Sequence, residues 1–211
     1  MAHLYVILSR TTTGAGKMIR TFTRNYYNHA SLTLHEDLSG IVSFARFRID
    51  VPMHAGYVAE PVERFLYKGG PVPIRVFRIE ISEEKAQRLA DFFTHAGSPD
   101  SGLLYNYFGA FLTMFRIRCH IPGAYTCLSF VSTILDKPYR SFQELEKDLA
   151  PYEVFCGDFF EKQQDSGLRT DRYFTPRGLM RGIKDSTVHM ARLVARSTRI
   201  RKFDDPILKL K

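Results

Sequence analysis

Two alternating runs around a short polar turn constrain this chain more than any other feature. "HASLTL" (29–34) and "IVSFARFRI" (41–49) flank "HEDLSG" (35–40). Successive strand residues point to opposite faces, so each run offers one face for burial. A short polar link containing glycine closes such a pair as an antiparallel hairpin. A lone hairpin is barely stable in water, so further strands must join it. "LYVILS" (4–9), "PIRVFRIEIS" (73–82) and "YEVFCGDFF" (152–160) have the composition to do so. Between them lie helix signals. "SEEKAQRLADFFTHAG" (82–97) has Ser82 as N-cap, acidic residues in its first turn and Gly97 after its end. "SFQELEKDLAP" (141–151) is stopped by Pro151, and "GKMIRTFTR" (16–24) spaces Met18, Ile19 and Phe22 helically. The uncharged run "SGLLYNYFGAFLTMF" (101–115) reads as a buried helix. It is too short for a membrane span, which takes roughly 20 apolar residues. The expected class is α+β: a small, mostly antiparallel sheet packed with helices before and between its strands.

The chain of 211 residues suffices for one substantial domain with an appendage. Its 3 cysteines are an odd number, which argues against a disulfide framework and for a reducing, cytoplasmic setting. No basic stretch followed by an apolar core opens the sequence, so no secretion signal is expected. The net charge of +8 is unevenly placed. Residues 169–211 hold 12 Lys/Arg against 4 Asp/Glu, whereas residues 1–168 are balanced. The expected division is therefore a body over 1–168 and a basic, partly helical C-terminal extension over 169–211. Within "STVHMARLVARSTRIRK" (186–202), His189, Arg192, Arg196 and Arg199 form one helical stripe beside Met190, Leu193 and Val194. Such a helix can lie on an anionic membrane through Arg192, Arg196 and Arg199, or cover the domain's own surface. Nucleic acid is the less favoured partner, because no aromatic platform accompanies the charge.

"TTTGAGKM" (11–18) imitates a phosphate loop but lacks its first glycine and its closing Ser/Thr. The plain reading is a turn entering a helix. "YTCLSFVSTIL" (125–135) carries more. If a helix starts near Thr126, then Phe130, Val131, Ile134 and Leu135 share the face of Cys127. Cys127 then sits in the first turn, where unpaired N–H groups and the helix dipole favour a thiolate. Packing alone could also place a cysteine there, since free cysteine is among the most buried residue types. Cys119 and Cys156 read as core residues. His29 opens its strand on a face shared with Ser31 and Thr33, a position suited to a general base lining a cleft. No cofactor is implied, and Cys119 with His120 has no further Cys/His pair at zinc-site spacing.

Together, "NHASLTLHEDLSGIVSF" and, about 80 residues later, "YTCLSFVSTIL" resemble the circularly permuted branch of the NlpC/P60 superfamily of papain-like cysteine hydrolases. That branch holds the YiiX-like proteins and lecithin:retinol acyltransferase. The resemblance runs from Leu4 to about Phe160. It implies a permuted papain-like fold in which the His-bearing hairpin precedes the Cys-bearing helix. It further implies Cys127 as nucleophile, His29 as base and the Cys127 N–H in an oxyanion hole. The histidine-orienting third position falls on Ser43, a weak orienter, with Glu60 in "GYVAEPVERF" as a second candidate. Tyr125 would line the pocket. The implied chemistry is acyl transfer from an amide or ester in a small molecule, peptide or lipid. The competing expectation is a catalytically silent domain of the same fold that binds such a ligand.

Overall fold

This computed structural model describes residues 1–11, 25–51, 53–67, 70–97, 101–162, 172–176, 178–198 and 205–210. The helix expected at 16–24 and residues 12–18 of the glycine-bearing turn lie outside them, as does Arg199. The described residues form an α+β fold built on a six-stranded antiparallel sheet of order β10-β7-β1-β2-β3-β4. Its strands are β1 (Ala2–Ser9), β2 (His29–Thr33), β3 (Val42–Arg46), β4 (Ala55–Ala59), β7 (Pro73–Ile81) and β10 (Glu153–Asp158). Two short ladders accompany it: β5 (Leu66–Tyr67) with β6 (Gly70–Pro71), and β8 (Leu104–Tyr105) parallel to β9 (Ala124–Tyr125). The helices are α1 (Glu83–His95), α2 (Tyr107–Thr113), α3 (Cys127–Ile134), α4 (Phe142–Leu149), α5 (Phe159–Lys162) and α6 (Leu179–Thr198).

The expected hairpin is present, with β2 antiparallel to β3 and Leu32 opposite Val42. Leu4, Val6 and Leu8 of β1 join Leu32, Val42 and Phe44 on one sheet face, where α1, α3 and α4 bury Leu89, Phe130, Val131, Ile134 and Leu145. The opposite parity faces a second core. There Tyr5, Ile7, Ile74 and Val76 meet Leu38, Ile41, Phe65 and Phe159. Burying a large aliphatic side chain stabilises the fold by roughly 1.5–3 kcal/mol, so these two layers supply most of the driving force. Capping sets the helix boundaries. Ser82 accepts from Lys85 N–H, and Ser141 from Glu144 N–H. The Lys85 ammonium reaches the Ile134 carbonyl at 2.8 Å, placing a cation on the negative end of α3.

Two expectations are corrected. The 101–115 run is not a buried helix: α2 covers Tyr107–Thr113 only, and Phe108, Phe111 and Phe115 stand in solvent. The reason is that its buried side holds only small or amphipathic residues, Gly109 among them. Cys156 is exposed rather than in the core, and Cys119 is half-buried. The segment beyond residue 168 is partly helical, with α6 at Leu179–Thr198, and it packs on the body. Leu193 is fully buried with Leu104 and Ile121, and Ile207 and Leu210 enter the main core. Much of the basic stripe on α6 is likewise turned inward. The ring of His189 is bonded to the Tyr105 carbonyl at 3.1 Å, and Arg196 donates to the Gly102 and Pro122 carbonyls. Arg192 remains exposed.

Candidate active site

Cys127 is the first residue of α3, and its position follows from a capping box. The Thr126 hydroxyl accepts from Ser129 N–H at 3.0 Å, while Ser129 Oγ accepts from Thr126 N–H at 2.8 Å. This fixes the helix start, so the N–H of Cys127 lies in the first turn, where no intrahelical acceptor exists. The short β8–β9 pair leads into this start, with Tyr105 opposite Tyr125. α3 lies across β2 and β3. Its first residue thereby lies beside His29, the first residue of β2, close enough for the thiol to favour the charged imidazole.

The residue that holds the histidine is Glu60. His29 Nε2 meets Glu60 Oε1 at 2.8 Å, and Ser31 Oγ donates to the same oxygen at 2.7 Å. Glu60 follows β4, a strand the sequence reading did not anticipate. Its N–H donates to the Ile41 carbonyl at 2.7 Å, which extends the β3–β4 register by one step. By parity, Ser31, Ser43 and Glu60 project from the same sheet face. Ser43, expected at the third position, is completely buried beside the Glu60 carboxylate and closes no hydrogen bond of regular geometry with any described residue. By the antiparallel register it stands opposite Ser31, not His29, and it does not bond the imidazole. The longer Glu60 side chain does so from one strand further out.

Burial alone would depress the charge on His29. The negative Glu60 carboxylate, hydrogen bonds to Cys127 and Glu60, and the field of Cys127 outweigh it, raising the imidazole from 6.5 to about 10. Glu60 is the mirror case. Burial pushes its carboxyl up, but the His29 charge and hydrogen bond, with Arg64 and Ser43 nearby, bring it down to about 2. At neutral pH the two side chains form a buried ion pair, 12% and 5% exposed. With Nε2 engaged by Glu60, Nδ1 is the ring nitrogen left for the thiol.

Further residues frame this centre. Arg64 lies over the Tyr173 ring at 4.5 Å and donates to the Arg46 carbonyl. Arg46 in turn donates to the Tyr173 hydroxyl at 3.3 Å. A residue from beyond position 168 thus locks the arginines behind Glu60. Tyr125, expected to line the pocket, is instead a core residue whose hydroxyl donates to Asp205 at 2.7 Å. The tyrosine close to the thiol is Tyr105. Burial first, then the field of Cys127, lift its phenol well above the usual range. Sequence reasoning missed Ser31 as a partner of Glu60, although its place two residues after His29 on the same strand face was the available signal. An open apolar groove lined by Met53, Met190, Ala191 and Val194 runs along α6 and shares no lining residue with this centre. No group of three or more His, Cys, Asp or Glu among the described residues could hold a metal ion, and no helix among them is long and apolar enough to cross a membrane. Comparison of the chain with protein-family models, with curated proteins and with solved structures returned no match.

Proposed function

We propose that the chain is a cysteine-dependent hydrolase or acyltransferase of the permuted papain-like type, acting through an acyl-enzyme on Cys127. The observation that carries this reading is the buried Cys127–His29–Glu60 line, with His29 held at 2.8 Å by the carboxylate. The thiolate sulfur attacks the carbonyl carbon of an amide or ester, and the Cys127 N–H donates to the developing oxyanion. As the C–N or C–O bond breaks, imidazolium His29 gives its proton to the departing nitrogen or oxygen. Water or another acceptor then attacks the thioester, His29 takes its proton, and the thiolate leaves. Glu60 acts as the positioning residue: it fixes the ring orientation and stabilises its charge. A cytoplasmic location is part of this proposal, supported by free Cys119, Cys127 and Cys156.

A second reading, a catalytically silent binding domain, is favoured by one observation: Cys127 is only 8% exposed. The experiment that separates the two is iodoacetamide alkylation of Cys127 across pH 4 to 9, in wild type and His29→Ala. The enzyme reading expects alkylation that persists to about pH 6 and is lost in the variant. A thiol that reacts only in the range of an ordinary cysteine, about 8.5, or not at all in either protein, leaves the silent domain.

A further inference from the structure

We infer that the outward face of α2 and the turn after it form a docking surface for an anionic bilayer. Phe108 and Phe111 are spaced three apart and share one face of α2, and Phe115 follows in the turn after it. That face is in solvent, with the three rings 39%, 58% and 60% exposed and Ile117 beyond them 52% exposed. A soluble helix turns its apolar stripe inward. Here the inner side is already occupied: Gly109 is buried, and the Tyr107 ring packs edge-on against His189 at 5.2 Å. The outward rings therefore form a surface in their own right, and Phe111 and Phe115 meet edge-to-face at 5.5 Å to make it continuous.

Charge identifies the occupant. Arg116 and Arg118 are exposed among these apolar residues, and the sequence has no acidic residue between Asp100 and Asp136. Aromatic rings that enter the headgroup boundary, with arginines at the level of anionic lipid phosphates, are the chemistry of an interfacial anchor. Backbone hydrogen bonds close this tip. Ile117 N–H donates to the Leu112 carbonyl at 3.1 Å and Arg116 N–H to Thr113 at 3.0 Å, the paired bonds of a Schellman motif. Its left-handed position belongs to Arg116, at φ 58°. Glycine would sit there without strain, yet an arginine stands at the tip of the apolar patch. The paired Tyr105 and Tyr125 lead directly into α2 and α3, so the helix that carries this surface starts beside the one that begins with Cys127.

The test is co-sedimentation of the full chain with phosphatidylglycerol or phosphatidylcholine vesicles at about 0.1 M salt. Binding requires no turnover, so Cys127→Ala gives the same result and a silent dyad leaves it unaltered. Partition onto phosphatidylglycerol is expected, at least about ten-fold weaker on phosphatidylcholine. Phe111→Ser with Phe115→Ser lowers it at least about ten-fold. Arg116→Gly lowers it about five-fold while the melting temperature holds or rises, because the strain is relieved. The inference is overturned if the protein stays in the supernatant with both vesicles, as it would if a protein partner or second copy covered this face. Equal binding to both lipids, or variants that bind like the parent, overturns it as well.

Discussion

Two buried carboxylates serve the start of α3, and they do different jobs. Glu60 accepts from the His29 imidazole and the Ser31 hydroxyl. Asp205 accepts from Gly123 N–H at 2.8 Å, Tyr125 O–H at 2.7 Å and Ile207 N–H at 3.1 Å. The donors on Asp205 stay neutral, so it works as a tie that binds the C-terminal segment to the strand entering α3. One donor on Glu60 can take up a proton, so its negative charge sets the protonation of a group beside the thiol. Both carboxylates are buried. What separates structure from chemistry here is the kind of donor each carboxylate faces.

The sharpest way to break this contrast is Glu60→Gln. Glutamine keeps an oxygen for the ring but removes the charge, so the imidazolium loses its counter-ion. A rate loss of about a hundred-fold is expected for any acyl-transfer substrate, and alkylation of Cys127 at pH 6 should fall in parallel. Stability falls too, by about 2 kcal/mol near pH 6, because the variant leaves a buried pair unmatched. The pH dependence follows from both partners. The folded value of His29 is raised, so its contribution is complete below about 6.5 and is lost as pH rises through about 10. The folded value of Glu60 is depressed to about 2, so its contribution is present above 4.5 and is lost as pH falls through about 2. The stability gap between wild type and Glu60→Gln should therefore be widest at pH 4.5–6.5 and close towards pH 10 in urea titrations. A gap that is flat with pH would show that Glu60 is only a packing residue.

Asp205→Asn probes the other side. Asparagine can keep one oxygen for Gly123 and Tyr125, but its NH₂ then faces the Ile207 N–H. The expected loss is about 1.5 kcal/mol, a fall in melting temperature of roughly 3–6 °C, with turnover within about three-fold of wild type. If turnover collapsed while the melting temperature held, the division of labour between the two carboxylates would be wrong.

The frame was legible where local chemistry decides structure. Ser82 and Pro151 marked the ends of their helices because caps and stops are local, and the alternation at 29–34 and 41–49 gave the hairpin because strand parity is local. Glu60 was harder to place. Its partner His29 is 31 positions away, and the contact depends on β4 pairing with β3, which a short run with a glycine does not announce. Ser43 looked better because parity places it on the right face, but parity does not give the register, which sets Ser43 opposite Ser31. The orientation of α6 stayed open for a related reason. The spacing of His189, Arg192 and Arg196 shows that they share a face, not which way that face turns. It turns inward at His189 and Arg196 because the carbonyls of Gly102, Tyr105 and Pro122 need donors there.

The smallest effect tests how far the structural tie reaches. Tyr125→Phe removes one hydroxyl from Asp205 and leaves the ring packed against Phe44, 5.5 Å between centroids. Asp205 keeps the N–H groups of Gly123 and Ile207, so the carboxylate is not stranded. The net loss should be about 1 kcal/mol, a typical value for one hydrogen bond to a charged acceptor that retains other donors. Because Tyr125 precedes Cys127 by only two residues, a pocket role would make itself felt as a raised KM with any substrate found. A purely structural role predicts an unchanged KM and a lower melting temperature. It also predicts that Tyr125→Phe adds little in the Asp205→Asn background, where the bond it would remove is already weakened. Full additivity of the two losses would mean that the hydroxyl stabilises the start of α3 through some contact other than Asp205.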